Sequence, residues 1–342
     1  MKAMLLTKKT DVSVDLHPLS AAGLPEPQPD RNEVLIKVHT CGVCHTELDE
    51  IEGRTPPPGY PVVPGHEVVG TVSELGDNVK SVRIGDRVGV AWLYSTCGKC
   101  EHCQTGNENL CAEFRATGRD ANGGYAEYMV APVTSVFPIP EIFSDSEAAP
   151  LLCAGAIGYR SLRLCNLKDG QRLGLTGFGA SAHLVLKMVL HKYPYTKIYV
   201  FARSDAERRF ARELGAAWAG DTTDRSPEPC HAIIDTTPAW KPVVEALSNL
   251  RPGGRLVINA IRKEIKDREY LLQLDYPQHL WMEKEIKSVA NVARRDVAEF
   301  LELAAEIPIK PTVTEYSLGE ANKALYELKR GDVKGAKVLR IG

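Results

Sequence analysis

Nine cysteines are spread unevenly over this 342-residue chain, and their spacing is the first chemical signal. Cys97, Cys100, Cys103 and Cys111 follow one another as C-x2-C-x2-C-x7-C in a polar, glycine-containing stretch. Such spacing lets backbone turns bring thiolates to about 2.3 Å from a tetrahedral Zn²⁺. Four thiolates leave no coordination position for a substrate, so the expectation is a closed, structural zinc. A nucleic-acid-binding zinc module would want basic flanks. Here Lys99 is offset by Glu101, Glu108 and Glu113, which sets that reading aside.

A second donor set is scattered. Cys44-His45-Thr46 follows a strand-like run, Gly65-His66-Glu67 precedes another, and Cys153 lies far downstream. Taken singly, each is ordinary: a lone cysteine passes for a small buried hydrophobe. Together they offer two thiolates and one imidazole, the three protein ligands that a catalytic zinc needs beside an open fourth position.

The third signal is a glycine motif. Leu173-Gly174-Leu175-Thr176 runs into Gly177-Phe178-Gly179-Ala180-Ser181-Ala182. This is G-x-G-x-x-A between a predicted strand and a predicted helix, the context required of a dinucleotide site. The glycines permit a tight turn and close approach to a pyrophosphate, and the helix N-terminus faces the anion. A glycine-rich turn in a cofactor-free α/β domain is the plainer alternative.

The elements that carry these groups divide the chain. Up to about Pro140, Gly, Pro and short β-runs dominate: the first ~20 residues alternate like strands, and Val34 to Val38, Val68 to Ser73 and Arg87 to Trp92 read as further strands. Near Ser144 the character changes, because Ser144-x-x-Glu147 is a helix-start signature. Strands at Arg172 to Thr176, Ile198 to Ala202, Ala232 to Asp235 and Arg255 to Asn259 then alternate with helices at Ala182 to His191, Ala206 to Leu214 and Val243 to Leu250. That alternation implies βαβ units and a parallel sheet. Helices at Asp296 to Ala305 and Leu318 to Lys329 and a strand at Lys337 to Ile341 close the chain. The expected fold is α/β: a doubly wound Rossmann domain over 152–288, and an irregular β-rich zinc-binding catalytic domain over 1–151 and 289–342.

Composition is that of a soluble globular protein, with 44% hydrophobic and 25% charged residues. A net charge of −2 gives no reason to expect nucleic acid or an anionic membrane as partner. No apolar run approaches the ~20 residues that span a bilayer. The N-terminal Met1 to Leu6 has no signal-peptide core, and an odd number of cysteines argues against a disulfide framework, so the expected location is the cytoplasm.

Gly42-Val43-Cys44-His45-Thr46, Pro64-Gly65-His66-Glu67, the four-cysteine stretch and Leu152-Cys153-Ala154-Gly155 together resemble the medium-chain zinc alcohol dehydrogenases over essentially the whole chain. Ile286 to Asn291 and Ala305 to Pro311 resemble the bacterial branch related to cinnamyl alcohol dehydrogenases. The resemblance implies a GroES-like catalytic domain and reversible hydride transfer between a primary alcohol or aldehyde, aromatic ones included, and NADP(H) or NAD(H). It implies two Zn²⁺ per chain and a homodimer or homotetramer. Cys44, His66 and Cys153 then match the catalytic ligands, and Glu67 the acid that can replace water on the metal. Cys41 is not counted. Thr46 matches the hydroxyl that bonds the substrate oxygen, and Trp92 a bulky residue lining the alcohol pocket. Glu47 stands where the family usually has Asp, the partner of the ligand histidine; its extra methylene could shift that contact. Asp49 stands where the family's proton relay often ends in His, so the proton leaves through Asp49, through His45 or through water. Two rivals are a polyol or other medium-chain dehydrogenase and a catalytically silent dinucleotide-binding protein. Cys153 counts against the first, where an acid often replaces it, and the complete ligand set against the second.

The expected cofactor contacts are His45, Gly177, Gly179, Ala180, Ser181, Arg203, Ser204, Asn259 and Lys337. NADP is the expected preference. NAD-specific folds end the second strand in an acid that bonds the ribose. Here Ile198 to Ser204 carries none: Ala202 removes the repulsion, Arg203 can pair with a 2′-phosphate, and Ser204 can add a hydrogen bond. The competing possibility is that Asp205 folds back to the ribose, unless it caps the helix that follows.

Overall fold

The structure, a computed structural model, describes residues 1–307, 309–331 and 335–342. Pro308, part of one of the quoted motifs, lies outside the described residues, as does the side chain of Ala180. The chain forms two compact units, one of residues 1–153 and 292–342, the other of residues 154–291.

The first unit opens with β1 (Lys2–Leu6) and β2 (Leu19–Gly23), an antiparallel pair. The expected continuous alternation over the first twenty residues is interrupted. The Asp11 carboxylate accepts from the Ser13 amide at 2.8 Å and its carbonyl accepts from Val14 and Asp15, which makes a turn. There follow β3 (Glu33–Val43), α1 (His45–Ile51), β4 (Val68–Leu75), β5 (Arg87–Val90), β6 (Leu93–Ser95), α2 (Glu101–Gln104), β7 (Arg115–Ala116), β8 (Tyr128–Pro132), β9 (Val136–Pro138) and α3 (Asp145–Ala148). β5 stops at Val90, so Trp92 sits beyond the strand and not in it. α3 begins at the Ser144 cap, whose hydroxyl accepts from the Glu147 amide, while the Glu147 carboxylate accepts from the Ser144 amide.

The second unit runs α4 (Ala154–Cys165), β10 (Arg172–Thr176), α5 (Ala180–Lys192), β11 (Lys197–Phe201), α6 (Asp205–Glu213), β12 (Trp218–Gly220), β13 (Cys230–Asp235), α7 (Lys241–Ser248), β14 (Leu250–Ile258) and β15 (Glu285–Ser288). Its six strands are all parallel, in the order β12-β11-β10-β13-β14-β15. The order reverses at β10, the switch point at which doubly wound sheets bind nucleotides. Tyr199, Phe201, Ile233, Leu247 and Leu256 belong to its core. Helix α4 gave no sequence signal, because Gly155 and Gly158 dilute its helical character.

The chain then re-enters the first unit with α8 (Arg294–Glu306), β16 (Val313–Ser317), α9 (Ala321–Arg330) and β17 (Ala336–Arg340). β17 pairs with β3, completing a sheet of order β16-β17-β3-β4-β5-β9, with β8 paired to β3. Alternating residues of the strands fill one core, among them Val34, Ile36, Val38, Val68, Val72 and Leu339, with Leu325 and Leu328 of α9 packed in. This sheet fixes the ends of β3 and β4, and those ends carry the chemistry.

Candidate metal centres and dinucleotide turn

β3 ends at Val43, and the next residue, Cys44, is the N-cap of α1. Glu47, fully buried in the first turn, uses both oxygens: Oε2 accepts from the Cys44 amide at 2.8 Å, and Oε1 sits 2.5 Å from His66 Nδ1. One carboxylate thus ties the first ligand's backbone to the second ligand's ring. The longer side chain reaches the histidine, so the expected shift from Asp to Glu does not break the contact. Holding Nδ1 leaves Nε2 as the coordinating nitrogen, and His66 Nε2 is buried with no hydrogen-bond partner.

Cys44 Sγ lies 3.8 Å from Cys153 Sγ. Two thiolates at about 2.3 Å from one tetrahedral zinc would be separated by close to this distance. Ligand atoms of Cys44, His66, Glu67 and Cys153 all fall within 4.8 Å of one another. Glu67 is 4% exposed, and it fits because residue 42 is glycine: a Cβ there would meet Glu67 Oε2 at 1.8 Å. The donor set and the orphaned imidazole nitrogen fit a zinc ion. The hydrogen bond from Cys153, with the nearby His66, holds the Cys44 thiol well below the usual range against its burial. Burial and the Cys44 charge push the Glu67 carboxyl up.

The second cluster is local. Cys97 Sγ lies 3.9 Å from Cys103 and 3.5 Å from Cys111, and Cys100 lies 3.6 Å from Cys103. All nine cysteines are free thiols. Backbone amides of Cys100, Cys97 and Glu113 point at these sulfurs at 3.3 to 3.5 Å. Amides of Lys99 and Cys100 bring the Cys97 thiol down to about 6. Against the Cys103 amide, burial and the hydrogen bonds of the neighbouring thiols push Cys100 the other way, up to about 11, so within this pair it is Cys97 that is favoured as thiolate. Glu108 anchors the lobe by accepting from the Arg294 amide at 2.8 Å, at the start of α8.

Other site residues divide. The Thr46 hydroxyl lies 3.6 Å from Cys44 Sγ, beside the first cluster. The Trp92 and His66 ring centroids are 6.4 Å apart, edge to face. His45 is exposed on the first turn of α1. Asp49, one of the expected ends of the proton relay, has its buried carboxylate in an ion pair with Arg54. Lys337, expected among the cofactor contacts, lies in the first unit. Its ammonium, 4% exposed, donates to Tyr316 Oη at 2.6 Å and Glu327 Oε2 at 2.8 Å, which makes it the cation of an ion pair within the first unit.

In the second unit, Gly177 closes β10 with φ +75, and a Cβ there would meet the side chains of Thr236 and Thr237 within 3.0 Å. Gly179 caps α5, and space above it is open. Ser181 is spoken for, since its hydroxyl donates to the Ala154 carbonyl at 3.1 Å. Ala202 follows β11, and Arg203 after it is exposed. Ser204, not Asp205, is the cap of α6, accepting from the Glu207 amide at 3.1 Å. Asp205 pairs with Arg208, so it does not fold back toward a ribose. The Asn259 amide donates to the Asp235 carbonyl at 2.7 Å, where β13 and β14 end.

Three contributors escaped the sequence reading. Arg208 Nη1 donates to the Ala202 and Arg203 carbonyls at 2.7 and 3.1 Å and pins the turn after β11. Buried Asp235 accepts from Thr176 and Thr237 and pairs with Lys263, joining the ends of β10 and β13. Glu50 is the third; it lies three residues after Glu47 on α1, a spacing that sets both acids on one helical face.

Comparison with known proteins agrees with this geometry. Residues 30–141 match the alcohol dehydrogenase GroES-like domain. The chain is 45% identical to a probable alcohol dehydrogenase, AdhA, of Mycobacterium tuberculosis, over 96% of this chain and 94% of that one. It is 33% identical to an alcohol dehydrogenase of Geobacillus stearothermophilus, over 92% and 93% of the two chains. Among solved structures, a cinnamyl alcohol dehydrogenase of Sorghum bicolor superposes with a TM-score of 0.83 at 27% identity, covering 99% of this chain and 97% of that one.

Proposed function

The chain belongs to the medium-chain alcohol dehydrogenases, and from that premise we propose a zinc enzyme that interconverts primary alcohols, aromatic ones included, with their aldehydes, using NADP(H) in preference to NAD(H). The observation that carries the reading is the buried, unpartnered His66 Nε2 beside two thiols 3.8 Å apart. Cys44, His66 and Cys153 would hold a catalytic Zn²⁺, with Glu67 or a water as fourth ligand; Cys97, Cys100, Cys103 and Cys111 would hold a structural one, two per chain. When bound, the ion would supply Lewis acidity at the substrate oxygen, and the nicotinamide would supply or accept the hydride.

The chain's own groups do the rest. Glu47 keeps the His66 ring in its coordinating orientation. The Thr46 hydroxyl bonds the substrate oxygen and takes its proton. Since Asp49 is held by Arg54, exposed His45 is the group that passes that proton to solvent. Trp92 forms a wall of the alcohol pocket. The turn from Gly177 to Gly179 and the N-terminus of α5 receive the pyrophosphate, with Asn259 at the neighbouring strand ends. At the end of β11, Ala202, Arg203 and the remaining hydroxyl proton of Ser204 suit a 2′-phosphate.

Two copies would associate through the second unit. The outer edge of β15 is unpaired among the described residues, and Leu272, Tyr276, Trp281 and Ile286 are exposed nearby in sequence. Among the described residues no helix is long and apolar enough to cross a membrane. Nine free thiols suit the reducing cytoplasm.

A panel from ethanol to cinnamyl alcohol, run with both cofactors, tests the function. The expected result is turnover across primary and aromatic alcohols with a higher kcat/KM for NADP. A strong preference for a secondary polyol such as sorbitol, with no turnover of benzaldehyde-like compounds, overturns it.

A further inference from the structure

Glu50 is a buried acid without an assigned task. It is 2% exposed, and none of the ion pairs among the described residues includes it. Its Oε1 accepts from the Trp92 indole Nε1 at 3.4 Å, while its Oε2 is buried with no hydrogen-bond partner. A carboxyl group in that setting costs stability, because water is lost from both oxygens and only one finds a donor. An apolar side chain of similar length would avoid the cost. The same burial, helped by the charge of Glu47, raises the Glu50 carboxyl well above the usual range.

Its one partner is the residue read above as the pocket wall. The Trp92 indole also makes ring contacts. The Arg119 guanidinium lies 5.4 Å over the ring, Phe114 is tilted at 5.4 Å, and the ligand His66 meets it edge to face at 6.4 Å. Stacking contacts let a ring slide and turn in its plane. A hydrogen bond to the indole N–H fixes that turn.

We propose that Glu50 is a positioning residue for substrate selection: it fixes the orientation of Trp92 beside His66 and so sets the preference of the pocket for flat aromatic alcohols over short aliphatic ones. The proposal rests on Trp92 lining the pocket. Its unpartnered oxygen marks Glu50 as present for orientation and not for stability, so replacing it sharpens packing while loosening selection.

The experiment compares Glu50→Leu, Glu50→Gln and Trp92→Phe in the metal-loaded full chain, with benzyl alcohol and ethanol as paired substrates. Glu50→Leu should lower the benzyl-to-ethanol ratio of kcat/KM about tenfold, mostly through KM for benzyl alcohol. Its Tm should match or exceed that of the unmodified chain. Glu50→Gln keeps an oxygen for the indole and should restore most of the ratio. The Trp92 emission, taken as the difference from Trp92→Phe, should shift in Glu50→Leu and return in Glu50→Gln. An unchanged ratio in Glu50→Leu, no rescue by glutamine, or a Tm loss beyond about 3 °C overturns the assignment. If Trp92→Phe itself leaves the ratio unmoved, the reading of Trp92 as pocket wall fails. If Trp92→Phe moves the ratio and Glu50→Leu does not, only the role of Glu50 fails.

Discussion

The two sulfur clusters of the first unit use similar atoms, yet they are assembled in opposite ways. At Cys97 to Cys111 four thiols come from one loop, with partners no more than 14 positions apart. At Cys44, His66 and Cys153 the sulfurs are 109 positions apart, and a buried glutamate is needed to aim the imidazole between them. A local cluster folds itself around an ion and contributes its binding energy to folding. A dispersed cluster is positioned by the sheet, so the fold exists before the ion and one corner can stay open for chemistry. The difference teaches where each mutation should register: in stability for the loop, in turnover for the dispersed site.

The largest effect expected on that contrast is at the dispersed site. Cys44→Ser or Cys153→Ser should lower kcat/KM by roughly a thousandfold or more, with Tm kept within about 4 °C, read by steady-state kinetics and calorimetry. A comparable loss of stability would erase the contrast. Next comes the loop. Cys100→Ser should cost about 3 kcal/mol, seen as a Tm lowered by roughly 6 to 12 °C, while the chain that remains folded still turns over alcohol.

Sharper still is the aiming carboxylate. Glu47→Gln should weaken zinc at the dispersed site by about 10- to 100-fold in a competitive chelator titration and leave the four-cysteine site unaffected. Equal weakening at both would show that Glu47 acts on the fold and not on His66. A change in the second unit serves as a control. Arg203→Ala should raise KM for NADP about tenfold, which corresponds to about 1.4 kcal/mol, and leave NAD and both metals unchanged. An unaltered KM for NADP would defeat the argument from the end of β11. The smallest effect is Ser144→Ala, which removes the cap of α3 and should cost about 1 kcal/mol in denaturant unfolding without touching metal content.

Legibility in the sequence followed the same division. The spacing of Cys97, Cys100, Cys103 and Cys111 is a local pattern and could be read directly. So could the turn at Gly177 and the strand-helix alternation around it, since each is encoded within a few residues. The dispersed ligands needed a resemblance to be joined, because nothing local relates Cys153 to Cys44. Partners were not legible for two of the expected site residues: the Asp49 carboxylate pairs with Arg54, five positions on, and the Lys337 ammonium with Glu327 and Tyr316. Glu50 was within reach, since it shares a helical face with Glu47, but only the approach of Trp92 gives it meaning. Helix α4 was hidden by its own glycines.

Zinc content, measured by elemental analysis on freshly purified chain and on Cys44→Ser and Cys100→Ser side by side, tests the distinction between the two clusters most directly. The account predicts about two zinc ions per unmodified chain and about one in each variant, with turnover lost only in Cys44→Ser among chains that remain folded. One ion or none in the unmodified chain, or two retained in Cys100→Ser, would contradict it.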